Sequence, residues 1–458
     1  MSIIAGKVLL SFACAVFGVL LATHPRLLAL SERRFRLAVY ALWALTRVGI
    51  YVAAFLILRL EPQSDIVGAY MPQAQQAMQG LWVYRDFDST YAPLFPYALA
   101  VVVEYVWYSS KMIVLLAVLA ELVSLPFWMA ALERLIPPRA VRQACLLYLA
   151  SALPMFNVAF QGQNQVWASP FAAIALWLYS RESAASSGLA LSVPLVVSKF
   201  LSLAIVPAFV PRKGRVSRLI AGFVVLQVIV FGFFVLHHVD VLVPIWDQRT
   251  MRTTGNLPYL LCLAVPALTR ELPTNVIDAL GLLIVAALAL WLVARRTAGP
   301  SSTAVWALNL LILSVMLASR KAPPAFLISC FFPVCAVVAR EALTRLRALL
   351  FGVFSLVATI EPSMWFRWVK GYQIPGLGLA FGPGVPMWRG ALFIFIDVVL
   401  LGFYACYWYA SWRAFCAAAA KPVTVASEAG TVAVSHHTVL PAPLAKGGAA
   451  KHPQCSTR

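Results

Sequence analysis

Apolar runs dominate this chain from residue 3 to residue 412. They fall at 3–22, 37–58, 93–108, 112–132, 143–160, 166–179, 188–210, 219–236, 276–294, 304–319, 325–339, 348–360 and 389–412. One helical crossing of a bilayer needs about 20 apolar residues, and several runs reach that length. Hydrophobic residues make up 62% of the 458 and charged residues 12%, with a mean hydropathy of +0.84. A soluble domain is about half apolar and about a quarter charged, so a soluble fold of this chain would lack polar cover. A soluble enzyme, a disordered protein and a nucleic-acid binder are excluded. What remains is an all-α, polytopic transmembrane protein of about 11–13 membrane segments, with the lipid bilayer as its first partner.

Two runs are read as non-crossing. The run 93–108 rises only about 24 Å as a helix against a core of about 30 Å, and it carries Pro96 and Glu104. The run 188–210 is interrupted by Pro194, Ser198 and Lys199, which suits a re-entrant pair of half-helices. With the loop 59–92 outside, eleven crossings put the N-terminus outside and the C-terminus inside. Of the 36 Lys and Arg, 22 then lie in inner loops, and the inner side holds +17 of the net +19. That is a positive-inside pattern, so the charge reports orientation rather than an anionic partner. Letting both runs cross inverts only the stretch between them and leaves 19 basic residues inside.

The run 3–22, with Lys7 ahead of its apolar part, has the outline of a signal peptide. His24, Pro25 and Arg26 follow it in place of a small-residue cleavage site, so it is read as a retained helix. Residues 1–412 form the membrane domain, and 413–458, rich in Ala, Pro, Val, Ser and His, read as a disordered cytoplasmic tail. The eight cysteines include no CxxC pair, so neither a disulfide framework nor a zinc site is signalled. The adjacent His237–His238 lacks the i, i+4 spacing of helical metal ligands.

Polar residues inside such a chain are where chemistry can reside. The first outer loop carries Asp65, Asp86, Asp88, Arg85 and many aromatics. Val67, Tyr70, Met71, Ala74 and Met78 recur at helical spacing, with Gln73, Gln75, Gln76 and Gln79 on the other faces, as in an interfacial helix that Pro72 starts or kinks. Asp65 suits a helix N-cap beside Ser64, or a general base at the membrane surface, where a helix N-terminus keeps it ionised. Asp86 and Asp88 read as solvated loop residues with Arg85 as a partner, although a second carboxylate could orient an acceptor.

A second cluster, Gln161-Gly162-Gln163-Asn164-Gln165, offers amides to a hydroxyl-rich ligand, or forms a polar turn. Lys199 lies mid-run and needs a partner, a wet cavity or a snorkelling route. The outer turn Ser319-Arg320-Lys321-Ala322 could hold a lipid phosphate. The outer loop 361–388, with Trp365, Arg367, Trp368, Lys370 and Tyr372, suits an interfacial aromatic belt, and its Gly- and Pro-dense part 371–386 suits a flap. Arg47, inside the second run, also asks for a partner.

In order, Asp65, Gly80, Tyr84-Arg85-Asp86-Phe87, Tyr91-Ala92-Pro93-Leu94, Gly162-Gln163-Asn164, Gly188 and Lys199 resemble the motifs of C-superfamily membrane glycosyltransferases. The likeness is to glycosyltransferase family 87 and related polyprenol-phosphate-mannose-dependent mannosyltransferases, and it spans roughly residues 60–215, under half of the chain. There an Asp after a transmembrane helix precedes a G-x-x-P-Y-R-D stretch and then Y-P-P-L. The resemblance implies many transmembrane helices and a large first extracytoplasmic loop carrying interfacial helices. It implies a bacterial plasma-membrane enzyme moving a sugar, mannose foremost, from a polyprenyl-phosphate donor to a glycan or glycolipid acceptor. No cofactor is firmly expected, and a divalent cation stays open.

Asp65 maps to the catalytic base, with Arg85, Asp86, Gln163, Asn164, Lys199, Arg320 and Lys321 as substrate-binding candidates. The chain departs from the pattern in its extra helix 3–22, in Ala92, in Trp82-Val83, and in Arg320-Lys321-Ala322 where many relatives carry a His. Competing readings are a transporter or flippase for lipid-linked glycans, a glycan polymerase or ligase, and a non-catalytic subunit. A transporter calls for a midplane site between paired broken helices, whereas the polar residues here gather towards one face.

Overall fold

The computed structural model describes residues 3–63, 65–210, 215–248, 253–265, 274–295, 303–341, 343–369 and 385–420. Among them the regular structure is helical, apart from one isolated bridge between Val83 and Phe87. Six helices are long and apolar enough to cross a membrane: Ile4–Ala22, Glu32–Ile57, Ser110–Leu132, Val216–Leu236, Arg345–Val369 and Met387–Ala419. The chain is an all-α, polytopic membrane protein. Shorter apolar helices pack between the long ones, at Phe95–Tyr105, Ala184–Val197, Phe200–Phe209, Ala279–Arg295, Thr303–Ala318 and Pro324–Ala339. Large side chains stay exposed along the outer faces, including Ile57, Leu236, Leu282 and Phe395. A lipid-facing helix needs no polar cover there.

Between the first two motif blocks, Ile66–Tyr70 makes a wide π-helical turn that runs into the helix Met71–Met78. Pro72 stands at its first turn, where a missing N–H costs nothing. The run 188–210 does break. Pro194 is accommodated inside the helix Ala184–Val197, and the break falls at Ser198 and Lys199, before the 3₁₀ segment Phe200–Phe209.

That first half-helix lies flush against the helix Val216–Leu236. A Cβ on Gly188 would come within 2.1 Å of Leu219 O, and one on Gly222 within 2.0 Å of Ala185 O. Only hydrogen fits at these two crossings, so the glycines set how closely the helices approach.

Two boundaries differ from the sequence reading. Residues 361–369, expected in an outer loop, continue the helix Arg345–Met364 and its terminal turn Trp365–Val369. The intervening Glu361 and Pro362 broke the apolar run in the sequence. They do not break the helix, because Glu361 is buried and bonded by Thr254. Residues 413–419, assigned to the tail, are the end of the 33-residue helix Met387–Ala419. Arg413 and the alanines 414 and 417–419 there keep helical propensity after the hydropathy has fallen. Ser64, Lys370, Tyr372, most of 371–386 and the tail from 421 lie outside the described residues.

Arg47 has found its partner. Its Nε bonds Glu121 Oε2 at 2.9 Å, and both side chains are 0% exposed. Trp43 Nε1 donates to Glu121 Oε2 at 3.0 Å and the Tyr148 hydroxyl to Oε1 at 2.8 Å. Arg47 Nη1 closes the set on Leu149 O at 3.2 Å. One carboxylate thus gathers donors from Glu32–Ile57 and Pro138–Ala150 onto Ser110–Leu132. Removing one member strands the other charge, at about 3–5 kcal/mol. Glu121→Gln is expected to lower thermal stability in detergent by that order. The Arg47→Met/Glu121→Leu double variant is expected to lose less than Glu121→Gln alone.

Candidate functional site

Asp65 stands eight residues beyond Ile57, where the second long helix ends. It occupies the N-cap position of the turn Ile66–Tyr70, but its side chain makes no capping bond. The carboxylate is therefore not spent on the helix end. Tyr70, one turn on, packs edge-on to Tyr91 at 5.1 Å and to Phe95 at 5.0 Å. Phe95 in turn meets Trp167 at 5.5 Å. This aromatic wall joins three separate motif blocks, and each such ring pair adds about 0.5–1.5 kcal/mol beyond its buried area.

Hydrogen bonds fix the register of the wall. Asn164 N donates to the Tyr70 hydroxyl at 3.2 Å, and Ser198 Oγ donates to Asn164 O at 2.9 Å. Ala92 N donates to Ser198 O at 3.0 Å and Leu94 N to Val196 O at 2.9 Å. The loop carrying Tyr91 is thus latched to the unwound backbone around Lys199, as the free backbone groups at a helix break require. Gly162 makes the approach possible. It has φ +50°, and a Cβ there would sit 3.0 Å from Ile66 Cδ1 and 3.0 Å from Val114 Cα.

Lys199 is held at this junction, at the helix break and outside the six long spans. Its Nζ lies 5.1 Å from the Tyr91 ring centre and 5.2 Å from that of Phe326. Burial brings its ammonium down to about 8, and the Asp65 carboxylate pulls it the other way. Burial raises the Tyr91 phenol, with the Asp65 charge adding to the rise. Burial, then Tyr91 and Asp65, raises Tyr70 as well. Asp65, Tyr70, Tyr91 and Lys199 therefore form one electrostatic group of a carboxylate, an ammonium and two neutral phenols.

Beside Lys199 lies a small cavity of about 10 Å³, room for about one water. Gln165, Ser198, Ser202 and Ser329 give it a polar end, and Ala168, Leu191, Leu201 and Ile205 an apolar body. The Asn164 side-chain amide is fully buried with neither its nitrogen nor its oxygen bonded, and Gln165 Oε1 is likewise buried and unbonded. Buried amides without protein partners cost about 1–3 kcal/mol each unless a water or a ligand bonds them. Gln163 is buried next to them, its backbone N–H on Asn157 O at 2.9 Å.

The other candidates stand differently. Arg85 and Asp86 are exposed and pair with each other at 3.0 Å. Asp86 Oδ2 also accepts Trp82 N at 2.7 Å, and these two bonds, Arg85 first, hold its carboxyl below the usual range. Arg85 covers the Trp82 ring, which stacks on His237 at 5.0 Å. This pair closes its own loop and does not join the Asp65 group. Arg320 is buried and Lys321 half-buried in a turn tied to 253–256. Arg320 O accepts Thr253 N at 3.1 Å, and Thr253 Oγ1 accepts Ala322 N at 2.9 Å. The segment that follows, Pro324–Cys330, packs on Asn164–Trp167 and supplies Phe326 and Ser329 to the site. None of Tyr70, Tyr91, Ser198, Phe326 and Ser329 was a site candidate in the sequence. Tyr70 was marked only by its place on an interfacial helix, Tyr91 by the Tyr91-Ala92-Pro93-Leu94 motif and Ser198 by the interruption of the run 188–210, while Phe326 and Ser329 carried no signal.

Among the described residues no three His, Cys, Asp or Glu side chains gather as metal ligands would. No protein-family model, curated protein or solved structure matches the chain.

Gly162→Val is expected to push Ile66 and the backbone of Val114 apart. Overpacking of this kind costs about 1–3 kcal/mol. Thermal unfolding in detergent should show a loss of that size, and the intrinsic fluorescence of Trp167 should shift with it.

Proposed function

We propose that this protein is an inverting membrane glycosyltransferase. It moves a sugar, mannose foremost, from polyprenyl phosphate to a glycan or glycolipid acceptor on the extracytoplasmic side of a bacterial plasma membrane. The observation that supports it best is the electrostatic coupling of Asp65 to Lys199 beside the buried, unbonded amides of Asn164 and Gln165. Asp65 and Lys199 come from separate motif blocks of the resemblance. The finer topology belongs to this reading: eleven crossings, basic loops inside, and Asp65 on the outer face.

In this reaction an acceptor hydroxyl attacks the anomeric carbon. The new carbon–oxygen bond forms as the bond to the phosphate oxygen breaks on the opposite face. Asp65 takes the hydroxyl proton, which requires an ionised carboxylate. Negative charge grows on the departing phosphate. A fixed ammonium stabilises it without reorganising solvent, and Lys199 supplies one. The phenols of Tyr70 and Tyr91 stay neutral, so they add no repelling charge. The unbonded amides of Asn164 and Gln165 bind sugar hydroxyls.

Asp65→Asn in membranes supplied with labelled polyprenyl-phosphate mannose is expected to lower transfer by about 10²–10⁴-fold, the usual worth of a general base. Undiminished transfer would sink the role of Asp65. With Lys199 near 8, its charge is complete at neutral pH and is lost as pH rises through that value. Transfer is therefore expected to fall above about pH 8. Lys199→Arg, which stays charged, is expected to push that fall to higher pH. A wild-type profile flat to pH 10 on the alkaline side would remove Lys199 from the reaction.

A further inference from the structure

Glu361 and Asp397 lie within two of the long helices, Arg345–Val369 and Met387–Ala419. Glu361 is 1% exposed and Asp397 0%. Their carboxyl groups face each other closely enough to couple electrostatically. Thr254 donates its hydroxyl to Glu361 Oε1, and the Gly255 backbone N–H faces the Asp397 carboxyl. Among the described residues, no Lys or Arg pairs with either carboxyl.

The groups that face the pair are Thr254, Tyr259 from the helix Leu257–Ala264, and Tyr404 from two turns further along the helix of Asp397. The Tyr404 hydroxyl is fully buried and unbonded. Helical side chains lean towards the N-terminus, which aims this hydroxyl back at Asp397.

Two adjacent carboxylates without a cation cannot both stay ionised in so dry a place. Glu361 accepts the Thr254 hydroxyl, which favours its ionised form, so Asp397 keeps the shared proton. We infer that Glu361 and Asp397 form a proton-binding site inside the membrane domain, holding one proton between them, with the Tyr404 hydroxyl placed to bond Asp397 when that proton leaves. The proton moves from Asp397 to solvent, and no other bond is made or broken.

The site is wired to the surface through Thr254. The turn 253–256 that carries it holds the Arg320 turn, with Asn256 Nδ2 on Arg320 O at 3.3 Å and Thr253 N on the same oxygen at 3.1 Å. Losing the proton sets a second negative charge beside the carboxylate that Thr254 bonds, and the Arg320–Lys321 turn responds to it. This proposal does not depend on the sugar-transfer reading, and neither measurement below uses sugar transfer.

Infrared difference spectra of the full chain in lipid nanodiscs test it. A protonated-carboxyl C=O band is expected at neutral pH, shifting in D₂O and disappearing at alkaline pH. It should be lost in Glu361→Gln and in Asp397→Asn. No such band in the wild type, or a band that survives in the double variant, overturns the site. A band abolished by Mg²⁺ or Na⁺ at constant pH makes the pair a metal-cation site and overturns it too. Because the wild type is titrated directly, a misfolded variant leaves the test intact. A cysteine at Ser319 should react with a maleimide at a rate that changes severalfold across the same titration. A rate indifferent to it overturns the coupling to the turn.

Discussion

A guanidinium and a carboxylate fully out of water, Arg47 and Glu121, hold the helices Glu32–Ile57 and Ser110–Leu132 in register. Inside a bilayer neither charge has another way to be satisfied, so the helices that carry them are not free to slide. Trp43 and Tyr148 complete the carboxylate's bonds and bring in a third helix. Nearer the surface, Lys111 pairs with Glu61 at 3.0 Å and Tyr51 reaches Lys111 O at 3.2 Å. These two latches fix the end of the second long helix, and Asp65 follows directly from it. The position of the carboxylate proposed as base is thus set by an ion pair well removed from it.

The functional group of residues collects where helices fail to continue. Lys199 and Ser198 lie in a break between half-helices, Asn164 in a short 3₁₀ turn, and Asp65 at a turn that is not regular α-helix. An unbroken helix satisfies its own backbone and shows lipid only side chains. A break exposes N–H and C=O groups that must find partners in protein or in a ligand. Here each break supplies the next one's partner, as with Ser198 to Asn164 and Asn164 to Tyr70. The amides left over at Asn164 and Gln165 are the remainder of that exchange.

Much of this was legible residue by residue. Lys199 stood out because an ammonium in an apolar run demands an explanation, and the break beside it was visible in Pro194 and Ser198. The partner was not visible, since no local pattern links position 199 to positions 65, 91 and 326. Arg47 announced a need in the same way, but Glu121 was passed over because the apolar run around it is long enough to absorb one acid. Glu361 misled the reading outright. A Glu-Pro step looked like the end of a helix, and burial of the carboxyl against Thr254 carried the helix past it. Arg85 and Asp86 had the strongest motif and the most local role, because adjacent opposite charges satisfy each other without any long-range contact.

Hydropathy by itself determined that this is an all-α membrane protein, since apolar runs of that length leave the backbone no other way to be bonded in lipid. The same sequence marked the ionisable residues that a bilayer would have to neutralise. Which of them neutralise which was decided only by tertiary structure. Pairing across the membrane domain depends on helix packing: on Gly188 and Gly222 letting two helices touch, and on Gly162 admitting Ile66. Electrostatic energy falls with distance in space, not along the chain. A carboxylate at 65 and an ammonium at 199 become one site only when the fold has brought them together.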